Sequence, residues 1–430
     1  MVSPSYLRVA VLVVALVLTG ANTMHAQTRT DGSGQAPGAG SLQATTSSGR
    51  VPFLTPYASV TERYDSNVLF LPTNAKQDFV TNVSAGARVN YQDDLVAGTL
   101  RGGFTSEVYA RNPGLNYIGT NTALNAVLDK AVGKIVQGLG LTLTDTLTYS
   151  PKPQAWLTPE VVENSFISGI QTFRNNTLTN VANALSTYAL TPSDDLKASY
   201  SYQMIRFYNT TSAVPGAFGG LFNTDVHAVT AGAEHHINTL DSLGISYQHQ
   251  RMSFQPNTGG PSNGVDLDGA TVTWRKSLAR EWTAVISPGV AVLSTLPGEP
   301  QWTMLANLEW RSSMTTTVVS YSRSILPAFF LAGSAMVSDG ISLSIFRSLS
   351  NQWSVGAQGN YAKSSSVGSA SGNLQLDSYG GRSFLNYTFY PGLMASGTVT
   401  WDRFAFGATS AGNLTVNRQT VALSLIAEWN

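Results

Sequence analysis

The 430-residue chain contains no cysteine. That excludes disulfides, thiolate metal ligands and a lipid-modified cysteine anchor, and it suits an oxidising cell envelope. Charge is scarce as well: Asp, Glu, Lys and Arg together make 12% of the chain, about half of the roughly 25% usual in soluble domains. Its 25 basic and 25 acidic residues cancel and form no basic tract, which argues against nucleic acid as a partner. Beyond the first twenty residues no apolar run approaches the roughly 18 residues of a transmembrane helix.

What is present starts with Arg8 followed by VAVLVVALVLTG, an uncharged run ending at Gly20 with small-residue cleavage points near Ala21 or Ala26. This predicts a secretory signal peptide over residues 1–26. Residues 27–50, QTRTDGSGQAPGAGSLQATTSSGR, are rich in Gly, Ser, Thr and Ala without periodicity and predict a flexible periplasmic lead-in. Residues 51–430 then read as one outer-membrane β-barrel.

In LGLTLTDTLTYS, Leu139 to Ser150, leucines occupy one parity and glycine and threonines the other. Strand side chains alternate with period 2, so this is a strand with one apolar and one polar face. A soluble sandwich and a membrane barrel both fit that single strand. The connections separate them. Short ones such as QDDL, TPSDD, NTLD and PG alternate along the chain with long ones such as DSNVLFLPTNAKQ, residues 150–174, NTTSAVPGAFGGLFN and the region after Arg403. That order is expected of an up-and-down meander with two chemically different ends. About eighteen strands are expected, an even number that leaves both termini periplasmic and the long loops extracellular in a bacterial outer membrane. Aromatic residues including Tyr91, Trp274, Trp302, Trp353 and Trp401 gather at strand ends, where interfacial girdles would lie. The fold class expected is all-β, a transmembrane up-and-down antiparallel β-barrel.

RYDSNVLFL, Arg63 to Leu71, followed by DFVTNVSAGARVNY, resembles the opening of the outer-membrane β-barrel porin families found beside exopolysaccharide export systems (beta-barrel porin 2-like). The resemblance implies an outer-membrane channel serving surface polysaccharide traffic, with polysaccharide export components as partners. The closing strand LSLIAEW, one residue before Asn430, also resembles the signal read by the barrel-assembly machinery.

No nucleophile, metal or cofactor constellation is expected. His227 and His249 share the lipid-facing parity and read as headgroup-level polar groups, while Glu234 and His236 face inward without catalytic companions. Asp65 and Asn67 lack the six to eight oxygens of a calcium site and read as a turn in which Asn bonds its own backbone. Inward parity selects Arg88, Arg101, Asp129, Lys197, Glu309, Arg311 and Arg382 as a pore lining of mixed sign. Glu160 and Glu163, in the third long loop, are expected to narrow the pore by analogy with general porins. The functional expectation is a channel in contact with outer-membrane lipid, passing small hydrophilic solutes or serving polysaccharide export. The alternative is a non-transporting scaffold or surface-binding barrel with a plugged lumen.

Overall fold

The computed structural model describes residues 53–69, 71–150, 176–208, 222–256, 262–294, 299–327, 335–367, 375–408 and 412–429. The expected signal peptide and lead-in lie outside these residues. Eighteen strands follow in order: β1 (Leu54–Asp65), β2 (Asp78–Gln92), β3 (Ala97–Tyr109), β4 (Tyr117–Val127), β5 (Leu139–Ser150), β6 (Asn176–Thr191), β7 (Asp194–Tyr208), β8 (Phe222–His236) and β9 (Asp241–Pro256). The second half comprises β10 (Asn263–Ala279), β11 (Trp282–Leu293), β12 (Gln301–Arg311), β13 (Thr315–Pro327), β14 (Ala335–Ser348), β15 (Trp353–Val367), β16 (Gln375–Tyr390), β17 (Leu393–Ala408) and β18 (Gly412–Glu428). Each pairs antiparallel with its sequence neighbours. β1 also pairs with β18, Tyr57 opposite Glu428, which closes the sheet into a barrel and leaves no free edge.

The alternation decides which face is which. On one parity large apolar side chains are exposed, among them Leu423 at 69%, Ile245 at 62% and Val290 at 54%. Such a continuous band is unfavourable in water at about 25 cal/mol per Å² and is the outer surface of a barrel that a bilayer would cover. The other parity, represented by Thr142, Thr230, Ser246, Thr273 and Ser344, is small and polar and faces the lumen. The leucines of β5 point outward and its threonines inward, as their spacing requires.

Two aromatic rims bound the band. At the short-turn end Trp282 stacks near Trp310, centroids 6.2 Å apart, and Trp353 near Tyr387, 4.6 Å apart. At the long-loop end tyrosines pair with aspartates on the outer face. Tyr202 and Arg206 both bond Asp225, Tyr247 and His249 both bond Asp268, and Tyr321 and Arg323 both bond Asp339. These aspartates stand roughly one membrane crossing, about 9–11 residues, from the short turns. Leu343, between Asp339 and Ser348, therefore sits mid-band.

Short turns follow from their residues. Between β16 and β17, Pro391 precedes Gly392, whose φ of 90° is the left-handed value that a type II turn requires at that position. Three register shifts sit at this end, between Ser277 and Ala279, Thr388 and Tyr390, and Ala189 and Thr191, the rim position at which bulges bend strands. The β4–β5 connection instead holds a one-turn helix, α1 (Asp129–Gly133). The sequence places a long connection after Arg403, but β17 runs on to Ala408 and β18 starts at Gly412. Continuous cross-strand pairing from Arg403↔Asn417 to Ala408↔Gly412 extends the hairpin through that region. The start of β1 at Leu54 and the end of β18 at Glu428 both lie at the short-turn end.

Candidate functional site in the lumen

The lumen has walls of different chemistry. On the wall built by β18, β1, β2 and β3, charged side chains meet across an intervening strand because a closed barrel curves its inner face onto itself. Near the short-turn end Arg88 on β2 pairs with Glu428 on β18. Between them Tyr57 lies flat over Gly86 and Gly103, where any side chain would collide with its ring. The Arg101 guanidinium stacks on that ring, 4.3 Å from its centroid, a cation–π contact.

Further along the same wall the fully buried Glu107 accepts two hydrogen bonds from Arg63 at 3.4 Å, one from Tyr109 at 2.7 Å and one from Asn82 at 3.1 Å. The buried Asp65 accepts from Arg418 Nη2 at 2.6 Å and from its Nε at 3.1 Å. Buried charges persist only with such partners, because an unpaired one costs several kcal/mol.

Asp65 also begins a fold-in of the first long loop. Its carboxylate accepts the Asn67 N–H at 3.0 Å, and the Asn67 side chain donates to the carbonyls of Leu71 and Asn417 and accepts the Leu71 N–H. This is the backbone-bonding turn expected of that motif. It tucks Val68 against the inward-facing Val80, Tyr109 and Tyr117. The motif that carries the family resemblance is thus the device that fixes this loop to the inner wall.

On the opposite side, Phe222, Val226, Met252, Phe254, Val265, Leu267, Ala291 and Leu293 form an apolar cluster at the long-loop end of β8–β11. Ile325, Ala335 and Val337 join it from one face of the β13–β14 hairpin, while Leu326 and Met336 on the other face are buried as well. Inward residues at this end are buried on most strands, from Val80 and Ile205 to Leu376, Phe404 and Val416. Toward the short-turn end they are half-exposed.

The strands β13–β16 form a third surface. Among their described inward residues the only charge is Arg382, set among hydroxyls and amides such as Ser342, Ser344, Gln358, Asn360 and Asn386.

Of the residues selected by parity, Arg88, Arg101, Lys197, Glu309, Arg311 and Arg382 stand on the inner face. Lys197 pairs with Glu234, and Arg311 with Glu309 at 2.6 Å. Asp129 is not on a strand: it opens α1 and its carboxylate accepts the Leu141 N–H at 2.7 Å, which also places Leu141 at the level of the short turn. Glu160 and Glu163 lie outside the described residues. Parity alone did not single out Arg63, Asp65, Glu107, Arg418 or Glu428. The signal was available in that Arg63 and Asp65 share the inward parity of β1. His227 and His249 do not pair with each other: His227 contacts the Tyr200 hydroxyl at 2.8 Å and His249 contacts Asp268 at 2.9 Å.

No family model and no curated protein matches the chain. Among solved structures it is similar to the outer-membrane protein opdK of Pseudomonas aeruginosa, at 11% identity over 87% of this chain and 99% of that one, with a TM-score of 0.43. A mutant of the ferric enterobactin receptor PfeA of the same organism matches at 10% identity over 87% and 80%, with a TM-score of 0.44. The siderophore receptor PirA of Acinetobacter baumannii matches at 8% identity over 87% and 80%, with a TM-score of 0.41.

Proposed function

We infer that the protein is an outer-membrane channel for small hydrophilic solutes, with its long loops extracellular and both termini periplasmic. The observation that carries this is the half-exposed, polar inner wall of an eighteen-stranded barrel, a strand number wide enough to leave an aqueous lumen. Inward charges of both signs, such as Arg88 with Glu428 and Lys197 with Glu234, imply weak ion preference. The resemblance of RYDSNVLFL to porins beside exopolysaccharide exporters extends the reading to surface polysaccharide traffic. Residues 1–26 would direct export, and LSLIAEW would present the chain to the barrel-assembly machinery.

A second reading, a plugged scaffold or surface-binding barrel, is favoured by the burial of inward residues at the long-loop end. Planar-bilayer recording separates the two. A channel gives stepwise conductance with little preference between cations and anions, and a scaffold gives none from correctly folded protein. If Glu160 and Glu163 line a constriction, replacing both with glutamine lowers cation preference and deleting the loop raises conductance. Channels indifferent to both changes keep the porin and discard that loop as its eyelet.

A further inference from the structure

We propose that the inner face of β14–β16 near the short turns is a carbohydrate-binding strip, with Phe346 and Phe384 as its apolar platform. The proposal rests on the reading of the lumen as an aqueous passage and assigns the class of solute it holds.

Phe346, Gly356 and Phe384 are direct partners across three neighbouring strands, all on the inward parity. Phe384 lies over Gly356 so closely that no side chain fits there. The two phenyl rings are stacked at 29° with centroids 6.3 Å apart, and both residues are half-exposed. They form a low apolar surface against the wall.

Polar rows run on either side. Ser344, Gln358 and Arg382 are partners in the next row toward the long loops, and Ser348, Ser354 and Asn386 form the row toward the short turns. Rows two residues apart are separated by roughly 6.6–6.8 Å, so a group resting on the rings has amides and hydroxyls at both edges. The Asn386 amide donates to Ser354 Oγ at 3.3 Å, and its buried Oδ1 has no hydrogen-bond partner.

The ligand class follows from this mixture. An ion would be served by the paired charges of the β18–β3 wall, and an apolar solute would leave the amides and hydroxyls unsatisfied. A sugar ring has an apolar C–H face for the aromatic platform and edge hydroxyls that both donate and accept. Asn, Gln and Ser side chains do both as well.

The test is saturation-transfer NMR and titration with maltohexaose on the full barrel in detergent, which requires binding and not conduction. Wild type should transfer saturation to the sugar C–H protons. Phe384→Ala and Asn386→Ala should each weaken binding about tenfold, Phe384→Trp should retain it, and Thr273→Ala on β10, outside the strip, should leave it unchanged. Folding of each variant is checked by heat-modifiable migration on gels. No transfer from folded wild type overturns the proposal. So does equal affinity in Phe384→Ala, which would make the ring a filler for Gly356 alone. Binding by a barrel that conducts nothing would keep the strip and discard the channel, and conduction without binding would do the reverse.

Discussion

Parity has a measurable consequence at a single residue. Leu343 faces outward midway along the band, while Ser344, its neighbour, faces the lumen. Leu343→Arg should destabilise the folded barrel by about 2–4 kcal/mol, as a charge at the bilayer midplane does, and Ser344→Arg should cost far less. Urea unfolding from lipid vesicles measures both, and equal losses would mean the faces are reversed. A second consequence concerns the β2–β3 turn. The Tyr91 hydroxyl, 2.7 Å from Asp93, and the N–H groups of Leu95 and Val96 hold the Asp93 carboxyl below the usual carboxylate range. A depressed folded-state pKa adds stability that is present above the unfolded value of about 3.9 and is lost as pH falls through the depressed value. Asp93→Ala should therefore unfold at lower urea than wild type near neutral pH, and the gap should close across that acidic window. A gap independent of pH would show that the ionised carboxylate contributes nothing.

The first long loop tests the elements. Asn67 makes its contacts with the backbone of its own loop and of β18, so Asn67→Ala strands the Leu71 N–H and two carbonyls. These groups are only part-buried, so each bond lost costs about 0.5–1.5 kcal/mol. The variant should lose stability on that order and release residues 66–69 from the wall. Faster protease cleavage there, with conductance above wild type in bilayers, is the expected pair of results. Unchanged cleavage would mean that the packing of Val68 against Val80, Tyr109 and Tyr117 holds the loop without the asparagine. The loop's place on the wall was not legible in the sequence, although the Asn-centred turn was. A turn is a local hydrogen-bond pattern, whereas the direction the loop takes depends on which inward side chains await it.

For the whole molecule, the sequence by itself determined the strands, their two faces and an up-and-down barrel of about eighteen, with both ends of the barrel chain on the short-turn side. These follow from period-2 alternation and from the order of long and short connections, which are properties of neighbouring residues. Its two misplacements came from the same locality. Asp129 fits inward parity if β4 is extended past Val127, but the chain turns into α1 first. The region after Arg403 reads as loop, yet pairing with β18 keeps it extended. Only the tertiary structure decided which charges meet. Arg88 and Glu428 stand 340 positions apart and meet across β1, and Arg63 and Glu107 stand 44 apart and meet across β2. It also decided which inward side chains are buried. Parity says whether a side chain points inward, but its height and its neighbours around the barrel are set by register and closure. Those two quantities bring Phe254, Val265 and Leu293 into one dry cluster and leave Ser344, Gln358 and Phe384 half-exposed.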